Sequence, residues 1–176
     1  MKLLKYLLIV ALVLGAIVFG GGWLLSPKFT VLRSVEINAP REAVYPLVAD
    51  PKAWQQWSVW NRRDPAMQMS FSGEPIGAGA GWAWASESQG NGRMAFTAAE
   101  PNEKIVFTLF FDDFDSVSSG SFLFEPVGSG TRVSWVMNGD MGDNPLMRWF
   151  ALASDKMIGG DFEAGLSNLK AVAERR

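Results

Sequence analysis

The chain has 176 residues, with 16 Lys and Arg against 18 Asp and Glu, and contains neither cysteine nor histidine. Disulfides, thiolate nucleophiles and the Ser-His-Asp and Cys-His catalytic systems are therefore excluded, and the near-neutral charge offers no cationic field for nucleic acid. The length suits one domain with a short appendage, and 8 Trp and 8 Met are a generous supply for it.

The appendage comes first. Lys2 and Lys5 precede an uncharged run from Tyr6 to Leu25. At a 1.5 Å rise per residue the run is about 30 Å long, one hydrocarbon thickness, and Trp23 stands near its far end, where an interfacial aromatic belongs. No clean A-x-A cleavage site follows and the run exceeds a usual signal core, which favours an uncleaved anchor over a cleaved signal. Residues 1–28 are thus expected to be a single-pass anchor crossing the cytoplasmic (inner) membrane over residues 6–25. Lys2 and Lys5 would hold the N-terminus in the cytoplasm and put residues 29–176 outside it, in the periplasm of a Gram-negative cell. Gly20, Gly21 and Gly22 predict fraying of the last turns. Beyond the anchor the chain is more acidic still, which disfavours adhesion of the domain to an anionic lipid surface.

TVLRSVEIN, residues 30–38, alternates as a strand whose Val31, Arg33, Val35 and Ile37 share a face. Pro40 opens one or two short helices, which Pro46 and Pro51 keep short. From Met67 the period becomes two. Met67, Met69 and Phe71 share a face, as do Trp82 with Trp84, Met94 with Phe96, Ile105 with Phe107, Leu109 and Phe111, Phe122 with Phe124, and Val133 with Trp135 and Met137. Turn-forming stretches separate them (SGEPIGAGAG, QGNG, EPN, DDFDS and PVGSGT), so six strands in an antiparallel meander are expected. Asp143-Asn144-Pro145 then starts a long helix. Leu146, Phe150, Ala153 and Met157 predict one stripe, continued by Phe162, Leu166, Leu169 and Val172, with Gly159-Gly160 bending or interrupting it.

One apolar sheet face and one apolar helix stripe must meet. The expected class is therefore α+β: a curved antiparallel seven-stranded sheet wrapped on a long C-terminal helix, with two short helices after the first strand and an N-terminal transmembrane helix.

The words VEINAPREAVYPLVADPKAWQQWSVW, FEPVGSGTRVSW, and NGDMGDNPLMRWF followed by DKMIGGDFEAGLSNLK resemble the SRPBCC superfamily. This is the START-like, helix-grip group with polyketide cyclase/dehydrase and lipid-transport domains. The likeness covers about residues 30 to 173, and the last words look like a bacterial, often membrane-anchored subgroup. It implies a helix-grip fold with a hydrophobic cavity between sheet and long helix, able to hold a lipid or other apolar small molecule. The same superfamily hosts carriers, cyclases, hydroxylase domains and regulators, so the fold alone does not choose an activity.

Candidate cavity residues follow from the inner sheet face and the helices. Trp54, Trp57 and Trp60, three residues apart, fall on one side of a helix, as core or as cavity wall. Trp82, Trp84, Phe96, Phe107, Leu109, Phe122, Phe124, Trp135 and Met137 come from the sheet, and Met157 and Phe162 from the long helix. Methionine suits an adaptable apolar pocket. Asp112, Asp113 and Asp115 form a carboxylate cluster, but their spacing is not a calcium loop and a hairpin tip uses Asp anyway. GAGAG at 77–81 lacks the Lys-Ser/Thr ending of a phosphate loop. Tyr45, Glu87, Arg33, Arg93 and Arg132 could serve catalysis, yet no spacing marks a dyad. No catalytic residue, metal site or cofactor is therefore assigned. Three functions stay open: a membrane-anchored module binding a lipid or hydrophobic small molecule, a cyclase/dehydrase-type enzyme, and an envelope interaction protein with a vestigial cavity.

Overall fold

A computed structural model describes residues 2–112 and 116–175. Of the carboxylate cluster at the fourth turn, Asp113 and Asp115 lie outside the described residues.

Helix α1 runs from Lys2 to Leu24. It stays helical through Gly20–Gly22, against the fraying expected of them, because the glycines are a contact surface. A Cβ on Gly22 would stand 2.1 Å from the Pro145 carbonyl oxygen, and one on Gly21 would stand 3.0 Å from the Trp149 ring. Strand β1 (Lys28–Ile37) follows, then helix α2 (Arg41–Ala49), a 3-10 helix (Pro51–Gln56) and helix α3 (Val59–Arg63). The short helical region thus has three pieces. Pro51 begins the 3-10 helix, whose first turn is capped by Asp50 accepting from the Lys52 backbone N–H at 2.8 Å.

Strands β2 (Gln68–Gly73), β3 (Ala80–Ala85), β4 (Gly92–Glu100), β5 (Lys104–Phe111), β6 (Ser116–Val127) and β7 (Gly130–Asp140) form the meander. The seven-stranded sheet has the order β1-β7-β6-β5-β4-β3-β2 and is antiparallel throughout. The first strand therefore closes against the last, through pairs such as Val31 with Met137 and Arg33 with Trp135. A register shift between Phe96 and Ala98 interrupts the β4–β5 ladder.

Helix α4 is continuous from Pro145 to Ala173, with Asn144 accepting from the Leu146 N–H at 3.0 Å. The interruption expected at Gly159-Gly160 does not occur. A Cβ on Gly159 would stand 2.0 Å from Arg33 Nη2. The bare backbone there lets the Arg33 guanidinium lie across the helix, donating to Asp155 at 2.7 Å and to Glu163 at 2.6 Å, one turn to either side.

The buried stripe of α4 also differs from the expected one. Ala151, Ser154, Phe162, Leu166, Leu169 and Ala173 face the core, while Leu146, Phe150 and Met157 are exposed. The first half of the helix is apolar on two sides, so periodicity alone admits either stripe. The crossing of β1 at Gly159 selects the one used.

Candidate functional site

The tryptophans after α2 are positioned by the 3-10 helix. With three residues per turn, side chains at i and i+3 eclipse, and Trp54 and Trp57 meet with ring centroids 4.5 Å apart. Their indole N–H groups donate to the carbonyls of Val48 at 2.8 Å and Leu47 at 2.9 Å. Those carbonyls belong to the last turn of α2 and lack helical partners, so the two rings cap the helix that precedes them. Trp60, on α3, stands edge-on to Trp135 at 5.9 Å.

From here the interior divides. Trp57, Phe96, Phe122 and Phe124 are in solid core, each 2% exposed or less. Beside them a cavity of about 220 Å³ opens between the sheet, α3 and α4. Trp54, Trp60, Trp82, Trp84, Phe107, Leu109, Trp135, Met137 and Phe162 line it, as do Met67, Met69, Met94, Phe111 and Ile158. The Trp135 ring stacks on Phe162 at 3.8 Å and nearly parallel, fixing the wall where sheet meets helix. Met157 is not at the cavity; it is 60% exposed on the outer side of α4.

The polar lining is Ser58, Asn61, Arg63, Gln89 and Asp161. Arg63 and Asp161 form a two-pronged ion pair joining α3 to α4. Its hydrogen bonds hold the arginine above its ordinary pKa. Sequence reasoning missed this pair: its members lie 98 residues apart and only the fold joins them. Met67, Met69, Met94 and Phe111 did carry a signal, the alternation of their strands.

None of the five candidates considered for catalysis lines the cavity. Tyr45 is buried edge-on against Phe124 at 5.4 Å, and burial pushes its hydroxyl above the ordinary pKa. Arg33 is held by Asp155 and Glu163, and Arg132 by Glu36 at 2.6 Å. Arg93 stacks on Phe110 at 3.9 Å, and Glu87 borders a shallow hollow with Asp64 and Asn91. No cluster of acidic, histidine or cysteine side chains among the described residues could hold a metal.

A cavity with an apolar wall and few polar groups takes up apolar molecules. Its volume falls below the roughly 300–1,000 Å³ of drug-sized ligand sites, so it suits an aromatic ring system or a length of acyl chain rather than a whole two-chain lipid. The indole N–H of Trp135 is buried without a hydrogen-bond partner.

Residues 28–174 match the family described as polyketide cyclase / dehydrase and lipid transport. No curated protein matches the sequence. Solved structures share the fold at low identity. Protein CV1439 from Chromobacterium violaceum is 18% identical with a TM-score of 0.62, over 83% of this chain and 98% of its own. A protein from Rhizobium leguminosarum is 18% identical with a TM-score of 0.63, over 85% and 96%. Protein MLL2253 from Mesorhizobium loti is 20% identical with a TM-score of 0.58, over 83% and 97%.

Proposed function

The chain belongs to the polyketide cyclase / dehydrase and lipid transport family, and from that premise we propose that it is a membrane-anchored module holding a slender hydrophobic molecule between its sheet and α4. The observation that carries the reading is the apolar cavity walled by Trp54, Trp60, Trp82, Trp84, Trp135 and Phe162. Arg63 and Asp161, the ionisable residues of its lining, are bound to each other. That pairing supports binding over acid–base chemistry, which needs a proton donor or acceptor free to meet a substrate.

Helix α1 is long and apolar enough to cross a membrane, a test that a signal sequence also passes. Its close docking through Gly21 and Gly22 on Pro145 and Trp149 supports a retained anchor, since cleavage would strip that surface from α4. The direct test is to purify residues 28–176 natively and extract them for mass spectrometry of bound molecules. A stoichiometric apolar species is expected. An empty protein that also rejects apolar fluorescent probes would overturn the reading.

A further inference from the structure

Helix α4 carries a second apolar stripe, on its back. At 100° per residue, Leu146, Trp149, Phe150, Ala153 and Met157 fall within an arc of about 100°, opposite the buried side defined by Ala151, Ser154, Phe162 and Leu169. The four large residues among them are 38–60% exposed. Past Met157 the same arc continues as Gly160, Ala164, Ser167 and Ala171, which are small and exposed, and the half-buried Asn168 at its edge. The apolar back is therefore confined to the first half of the helix.

That half is fastened to the end of α1. Trp149 Nε1 donates to the Val18 carbonyl at 2.9 Å. Arg148 donates to the carbonyls of Trp23 and Leu25 at 3.3 Å each, with its guanidinium 5.0 Å over the Trp23 ring. The Trp23 carbonyl is one that the helix end leaves without a partner, and a cation is favourable there. From Val18 to the end of α1 is about 9 Å of helix rise. An amphipathic helix lying in a bilayer interface buries its apolar face by about 5–10 Å, so the two depths agree.

We infer that the first half of α4 lies in the interfacial layer of the bilayer that α1 enters, with the Leu146–Met157 stripe turned to the acyl chains. This rests on the reading of α1 as a retained span. The occupant is lipid rather than a second protein because the stripe begins beside the last two turns of the span. The contact is apolar, so the acidic balance of the domain does not oppose it and salt does not weaken it. Ile158, Asp161 and Phe162 of the cavity lining follow directly on the seated half, which brings the cavity close to the lipid surface from which an apolar ligand would come.

The absence of cysteine makes the test clean. Phe150→Cys and Met157→Cys, each in the full chain reconstituted into phosphatidylcholine vesicles, carry a nitrobenzoxadiazole label, read with and without lipids bearing a nitroxide near the headgroup. Ala164→Cys, on the same arc beyond the stripe, is the aqueous reference. Val13→Cys, within α1, reports insertion with nitroxides deep in the acyl chain. Labels at 150 and 157 are expected to emit to the blue of the label at 164 and to be quenched several-fold more, at low and high salt alike. Water-like labels at 150 and 157 with a quenched label at 13 would overturn the seat and leave the span standing. An unquenched label at 13 would overturn the span and the seat with it. Blue-shifted labels at 150 and 157 that nitroxide lipid does not quench would mean a protein surface covers the stripe, and would also overturn the proposal.

Discussion

The two ends of the sheet are built from the same residue types and end up differently. Over β1, β7 and β6, helix α4, α2 and the 3-10 helix close on the strands, and Trp57, Phe122, Phe124 and Leu169 make solid core. Over β2 to β5 the cover is thinner: the 3-10 helix touches β3, and α3 packs on α4 and, through Trp60, on Trp135 of β7. There Met67, Met69, Met94 and Leu109 face a cavity. Apolar composition does not decide between core and cavity. What decides is how closely a second layer packs on the sheet face, and the short α3 meets it only edge-on, through Trp60 on Trp135.

Changes at each end should separate these roles, beginning with the largest effect. Trp57→Ala removes a fully buried ring and leaves the Leu47 carbonyl without its donor. A loss of about 3–5 kcal/mol is expected from urea unfolding; a loss below about 1 kcal/mol would show that this end is not solid. Met69→Trp puts bulk into the cavity from a half-exposed strand position. It is expected to weaken binding of an apolar fluorescent probe by about tenfold, near 1.4 kcal/mol, with a stability loss smaller than that of Trp57→Ala, at most about 1–3 kcal/mol. Equal stability loss and unchanged probe binding would erase the distinction between the two ends.

Asp161→Asn cuts the ion pair at the cavity lining. Exposed pairs contribute about 0–1 kcal/mol, so stability should hardly move while release of a bound probe, followed by stopped flow, becomes faster. The smallest effect concerns the clasp on Gly159. The Arg33 hydrogen bond, and then its charge, hold the Asp155 carboxyl below its ordinary pKa. A carboxyl lowered in the folded state adds stability that is fully present above the ordinary Asp range and is lost as pH falls through the lowered value. Asp155→Asn should therefore lower the urea midpoint slightly at neutral pH and leave it unchanged in acid, which flattens the acid limb.

Much of this architecture was legible in the chain. Period-two alternation between turn-forming stretches marks the strands from Met67 to Met137, and Asn144-Pro145 marks the start of α4, because both signals are local. The tryptophan trio was legible as one face, yet its division was not. A 3-10 helix brings Trp54 against Trp57, and only the packing of the neighbouring layers makes one wall and the other core. The orientation of α4 was hidden by its two apolar stripes. The glycines at 20–22 and 159 read as weak points because their value lies in what approaches them, Pro145, Trp149 and Arg33, from far along the chain. The polar lining had no sequence signal, since Arg63 and Asp161 meet only through the fold.

Native mass spectrometry of residues 28–176, with the unmodified sequence and Met69→Trp side by side, tests directly whether the cavity holds a ligand. A discrete apolar small molecule is expected on the unmodified protein and is lost from the filled variant. The same molecule on both, or on neither, would contradict a ligand-holding cavity at the thinly covered end of the sheet.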